Sequence, residues 1–204
     1  MSASSASSSP PSESITRHLE ASAKVKAETA QACAEAAGRA SIYIAEALAA
    51  GGKLMLCGNG GSAADAQHLA TEFVATLDHR GNPRRGLPAI ALTTDSSLLT
   101  AYSNDFGFEG VFARQVEALG RRGDVLVGIS TSGNSANVVK AFQVAGGLGM
   151  KRVALTGGSG GKLGAEGLAE VVIAVPSSST AHIQEAHIAL GHAITAEVER
   201  QLGV

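Results

Sequence analysis

The chain has 204 residues, with 16 Lys and Arg against 18 Asp and Glu and a formal net charge of −2. That length suits one domain with a full hydrophobic core, and the 45% of hydrophobic residues can fill it. The charge balance argues against a nucleic-acid binder, 3% aromatics offers no base-stacking platform, and no apolar run approaches the roughly 20 residues needed to cross a bilayer.

The segment from Met1 to Pro11 is rich in Ser and Pro and has neither a basic n-region nor an apolar h-region, so it is not a secretory signal. Such a composition cannot build a core. The expectation is a flexible tail over residues 1–13 and a single domain over residues 14–204. Residues from Ser14 to Ala50 read as helix, rich in Ala, Glu and Lys, with Ile15, Leu19, Val25, Ile42, Ile44 and Leu48 supplying apolar faces. Gly38 is a point where this run would divide into two helices, and Gly51-Gly52 ends it. The only cysteines, Cys33 and Cys57, form no CxxC pair and are expected as free buried thiols of a soluble cytoplasmic protein.

Five short apolar runs follow: Lys53–Cys57, Pro88–Leu92, Asp124–Ile129, Arg152–Leu155 and Val171–Val175. They are continuous rather than alternating, as strands buried on both faces are. Helical patterns separate them near 63–77, 96–102, 110–119, 136–148 and 162–168, and a last helix spans about 181–201. Alternating strand and helix predicts an α/β fold, a three-layer αβα sandwich around a five-stranded parallel sheet with an N-terminal helical extension. Ligands of such sheets sit beyond the C-terminal strand ends.

Two of those ends carry polar loops. Ser130-Thr131-Ser132-Gly133-Asn134-Ser135 joins the third strand to a helix. One hydroxyl there would be a helix cap, but four hydroxyls with an amide at a helix N-terminus read as a phosphate cradle. Gly58-Asn59-Gly60-Gly61-Ser62-Ala63 formally matches a dinucleotide fingerprint. The ribose-binding acid belongs at the end of a second strand, however, and Asp78 follows a helix instead. The glycines are better read as letting the backbone approach a small polar ligand. Gly157–Lys162 fails as a P-loop, because Thr156 stands at the first required glycine and Leu163 follows the lysine.

His68 and Glu72 lie four apart on one helix face, and Gln184 and His192 lie eight apart on the last helix with His187 between them. If the two helices meet, these side chains form either a divalent-metal cluster or an acid/base pair. Arg80, Arg84 and Arg85 crowd one loop, which is either solvated or a lid for an anionic ligand.

Five segments together resemble the sugar isomerase (SIS) domain and, within it, the heptose-isomerase branch. They are Gly58–His68, Leu92–Asp95, Asn104–Gly107, Gly128–Ser135 and Ile183–His187. The resemblance runs from about residue 14 onward and implies a flavodoxin-like sheet and an isomerase acting on sedoheptulose 7-phosphate. It implies phosphate binding by Ser130, Thr131, Ser132 and Ser135, with Asn59, Gly60 and Ser62 on the sugar phosphate, and Asp105 and Asp95 nearby. It assigns Glu72 and His192 as the acid/base pair, and one zinc per subunit on His68, Glu72, Gln184 and His192. It also implies a homotetramer with active sites between subunits. Non-catalytic SIS proteins that associate with a replication initiator resemble the chain too, but they lack the carboxylate and last histidine that Glu72 and His192 supply. Ser132 likewise stands where that group is basic. The chain departs from the family pattern at Thr76, where an arginine is common, and at Ala181-His182, where some relatives carry an aspartate.

Overall fold

A computed structural model describes residues 10–77, 84–165 and 167–204. The chain opens with helix α1, Pro11–Ala49. Strand β1 (Leu54–Gly58) leads to α2 (Gly61–Val74), and β2 (Ala89–Ala91) to α3 (Ser96–Phe106) and α4 (Val111–Leu119). Then come β3 (Val125–Ile129), α5 (Ala136–Gly147), β4 (Lys151–Gly157), β5 (Val171–Val175) and α6 (Thr180–Leu202). Among the described residues the five strands make one sheet in the order β2-β1-β3-β4-β5, and every pair is parallel. The expected parallel sandwich is therefore the observed one.

The sheet divides the core into two layers because alternate strand residues face opposite sides. Leu54, Leu56, Val127, Ile129 and Val153 pack under α1, α2 and α6. Met55, Cys57, Leu126 and Ala154 pack under α4 and α5, around Phe112 and Phe142. Asp124, buried at the start of β3, accepts from the backbone N–H groups of Lys53 and Arg121 and pairs with the Lys53 ammonium at 2.5 Å. Both cysteines are free and buried, and burial pushes the Cys57 thiol up to about 12.

Three local expectations are corrected. Helix α1 is unbroken through Gly38, because a mid-helix glycine costs only about 1 kcal/mol and α1 packs along both α6 and β5. It also starts earlier than Ser14: Pro11 takes the first helical position, where its fixed φ is an asset. The helix expected near 162–168 is a single 3-10 turn, Gly161–Gly164. Gly158, Gly160, Gly161 and Gly167 all hold positive φ, which an α-helix cannot use. The fully buried Leu163 anchors that turn instead.

Candidate active site

The hydroxyl loop begins where β3 ends. Ser130 is buried, and its N–H donates to the Leu155 carbonyl at 2.9 Å. The Ser130 and Ser135 hydroxyls lie 2.9 Å apart across the turn. Ser135 precedes the first turn of α5 in extended conformation, yet its hydroxyl faces Ser130 and does not cap the helix. The positive end of α5 thus opens onto the same hydroxyls, the arrangement an anion binds. Thr131 is half-buried and Ser132 exposed.

The glycine-rich segment after β4 braces this loop. Gly133 sits at φ +65°, with no room for a Cβ against the Gly160 carbonyl. Leu163 N–H donates to the Gly133 carbonyl at 2.9 Å, and Lys162 N–H to Asn134 Oδ1 at 3.0 Å. Asn134 Nδ2 returns to the Ser132 carbonyl at 2.9 Å.

The loop after β1 is tied to the hydroxyl loop by a residue that the sequence reading passed over. Asn59 and Asn137 exchange amide hydrogen bonds of 2.9 and 2.8 Å, and Asn137 is buried. Asn137 was hidden because an Asn two positions inside a helix carries no pattern of its own. Gly60, at φ +55°, turns the chain into α2, and Ser62 is buried one residue into that helix.

Helices α2 and α6 run side by side in parallel. Gly61 meets Gln184, where an added Cβ would come within 2.5 Å of Gln184 Nε2. Two turns on, Gly191 lies so close to Leu69 that any side chain there would collide with it. That close crossing brings the neighbouring residues together. His68 Nε2 is 2.8 Å from His192 Nε2 and 3.3 Å from Glu72 Oε1. One ligand atom from each of His68, Glu72 and His192 lies within 4.8 Å of the others. Two imidazole nitrogens and a carboxylate in one cluster are a donor set that suits zinc, so the trio is a candidate metal-binding group. The Glu72 side chain keeps 15% of its surface exposed, which leaves it reachable. Gln184 stands at the N-terminal end of the helix pair.

Asp65, one turn before His68, belongs to this neighbourhood and was not singled out from sequence, although its i, i+3 spacing to His68 was visible. Burial raises its carboxyl above the ordinary range, and the His68 charge partly offsets that. Its Oδ2 is sealed from solvent without a hydrogen bond. His187, in contrast, turns away from His192. It is fully buried with Nε2 2.9 Å from the Thr156 carbonyl, so this nitrogen carries the proton. Burial lowers its pKa, against the smaller upward pull of that hydrogen bond.

Arg84 is committed elsewhere. It donates to Glu199 Oε1 at 2.6 Å and to the carbonyls of Glu72 and Phe73 at 2.8 and 2.9 Å, tying the end of α2 to α6. Arg85 is exposed, while Asp78 and Arg80 lie outside the described residues. Asp95 caps α3 by accepting from Leu98 N–H at 3.0 Å. Asp105 is exposed near the end of α3 and accepts from the Asn104 amide at 2.8 Å.

A 2-1-3-4-5 parallel sheet is the flavodoxin-like arrangement, and the family model for the SIS domain matches residues 17–157, so the chain is an SIS-domain protein. The chain is 52% identical over 196 residues to the phosphoheptose isomerase of Roseiflexus sp. (strain RS-1), covering 94% of this chain and 97% of that one. It belongs to the phosphoheptose isomerase family of SIS proteins. The structure of phosphoheptose isomerase from Neisseria gonorrhoeae superposes with a TM-score of 0.86 at 45% identity, covering 94% and 100% of the two chains. That of a phosphoheptose isomerase from Francisella tularensis gives 0.87 at 39% identity, covering 94% and 99%.

Proposed function

We propose that the chain converts D-sedoheptulose 7-phosphate to D-glycero-D-manno-heptose 7-phosphate, the first step of nucleotide-activated heptose biosynthesis, in the cytoplasm. The observation that carries this is the convergence of His68, Glu72 and His192 in a member of the phosphoheptose isomerase family. His68 lies seven residues into α2 from Gly61, about 10 Å at 1.5 Å per residue. A seven-carbon chain with a terminal phosphate is long enough to cover that step along α2.

In this reading Ser130, Thr131, Ser132 and Ser135 hold the phosphate, and Asn59, Gly60 and Ser62 line the sugar. Binding energy at the phosphate orients the distant reacting carbons. Glu72 takes the proton from C1 of the ketose and returns it to C2 of the enediol. His192 gives a proton to O2 as the carbonyl electrons move there, and accepts the O1 proton as the new aldehyde forms. The net change is one hydrogen moved between carbons, with no external oxidant. A zinc ion, one per subunit, would be held by His68, Glu72 and His192 with Gln184 as the further ligand; direct ligation makes Glu72 a weaker base, so ligation and proton shuttling compete at this group. When bound, the ion supplies a Lewis acid beside the reacting oxygens.

The active form proposed is a homotetramer with sites between subunits. Three surfaces support assembly. Ile15 and Leu19 on α1 are 61% and 62% exposed. A groove of about 400 Å³ between α1 and α6 is lined by small and apolar side chains such as Ala34, Ala37, Leu190 and Ala193. Helix α3 rests on the core only through the half-buried Leu98, Leu99 and Tyr102 and ends at the exposed Phe106. Asp105 then reaches a site by facing a neighbouring subunit.

The direct test is NMR of the purified protein with sedoheptulose 7-phosphate, with and without zinc. Appearance of the aldoheptose 7-phosphate is the expected result. No conversion in either condition by folded protein would overturn the assignment.

A further inference from the structure

A second cluster of metal-ligating side chains lies outside the site just described. His18 projects from α1, and His182 and Glu185 project from the first turns of α6, three residues apart and so on one face. One ligand atom from each lies within 4.8 Å of the others. His18 Nε2 is 2.8 Å from Glu185 Oε1, and the two imidazole rings have centroids 4.7 Å apart. The cluster is neither sealed nor fully open, since the His18 and Glu185 side chains keep 45% and 37% of their surface exposed.

One atom of this cluster lacks a partner. His182 Nε2 is sealed from solvent without a hydrogen bond, while the Glu185 carboxylate is held below the ordinary range by the Ser22 hydroxyl and by His18. A buried nitrogen lone pair left unsatisfied costs on the order of 1–3 kcal/mol. A folded protein normally supplies such an atom with a partner. Here the missing partner is a cation, because the atoms gathered around the gap are two imidazole nitrogens and a carboxylate. Lys26 is turned to the Ser22 hydroxyl at 2.6 Å and acts on the Glu185 carboxylate from that side, leaving His182 Nε2 without a partner.

We infer that His18, His182 and Glu185 form a second divalent transition-metal site that bridges α1 to α6. Two imidazoles with one carboxylate is a donor set that takes zinc and its neighbours in preference to magnesium or calcium. Three protein ligands leave at least one position for water or an outside ligand. The ion clamps the N-terminal part of α1, where every described residue up to Glu20 is exposed, onto the start of α6. It is separate from the His68–Glu72–His192 trio, which lies two to three turns further along α6.

The test is a titration of chelator-stripped protein with Co²⁺, read by its visible absorption, and with Zn²⁺, read by calorimetry. Wild-type protein should take up two equivalents per chain. His18→Ala should take up one, as should His68→Ala, and the double variant none. His18 is a surface residue of a long helix, so its replacement leaves the fold intact, and circular dichroism checks this. Identical stoichiometry for His18→Ala and wild-type protein would overturn the second site. Loss of an equivalent in His18→Ala with none lost in His68→Ala would uphold it while refuting the zinc proposed for the isomerase centre. A single equivalent in the wild type that His68→Ala abolishes would also overturn it.

Discussion

Glu72 and His192 are placed by neighbours that perform no chemistry. Gly191 and Leu69 let α2 and α6 approach closely, and the residues beside them, His192 and His68, come within 2.8 Å as a result. If Glu72 moves the carbon-bound proton, Glu72→Gln should lower kcat by about 10²–10⁴-fold while KM changes little. Steady-state kinetics decides this, and turnover within a few fold of wild type would remove Glu72 from the proton transfer. His187 sets a different expectation. Its folded-state pKa lies below its ordinary value of 6.5, so the unfolded chain binds the extra proton first. Its contribution to stability is complete above 6.5 and is lost as pH falls below it. Thermal melts at about pH 7.5 and about pH 5.5 should show a larger drop for wild-type protein than for His187→Gln, which keeps a donor for the Thr156 carbonyl.

At the scale of elements, the site depends on braces between segments remote in sequence. Asn59 and Asn137 join the loops after β1 and β3, and the turn at Gly161–Gly164 supports the hydroxyl loop from behind. Arg84 fastens the end of α2 to α6 through Glu199, with only 8% and 12% of the two side chains exposed. Truncating one partner of such a pair strands the other charge, so Arg84→Ala should cost about 3 kcal/mol. Urea unfolding should report that loss. Binding of sugar phosphate at saturating concentration should persist, because Arg84 touches backbone and Glu199 and not the hydroxyl loop. The basic loop was legible as a cluster of arginines, but its role was not. Whether an arginine faces ligand or carbonyl depends on where α6 runs, more than a hundred residues later.

The whole molecule presents surfaces that a lone chain has no reason to keep apolar. The groove between α1 and α6, the exposed Ile15 and Leu19 and the exposed Phe106 at the end of α3 agree with this expectation. Light scattering coupled to size exclusion should report four chains. Ala34→Glu, which sets a charge in the groove, should yield a smaller species with impaired turnover. A wild-type monomer with full activity would remove the inter-subunit site and with it the proposed role of Asp105. Among the described residues no helix is long and apolar enough to cross a membrane.

The sequence by itself determined the strand–helix alternation, and with it the parallel sheet, because a strand buried on both faces must be apolar at every position. It also marked the hydroxyl loop, since four hydroxyls at a helix N-terminus exceed what capping requires. Spacing put His68 with Glu72 on one helix face, because 3.6 residues per turn is a local property. Only the tertiary structure decided that His192 joins them while His187 points into the sheet. The five-position step from His187 to His192 turns the helix well past one full revolution, and which side faces α2 is set by packing. The same applies to Asn137, Arg84 and His18. Each has a partner that lies 78 to 167 residues away, and local pattern carries no information across that distance.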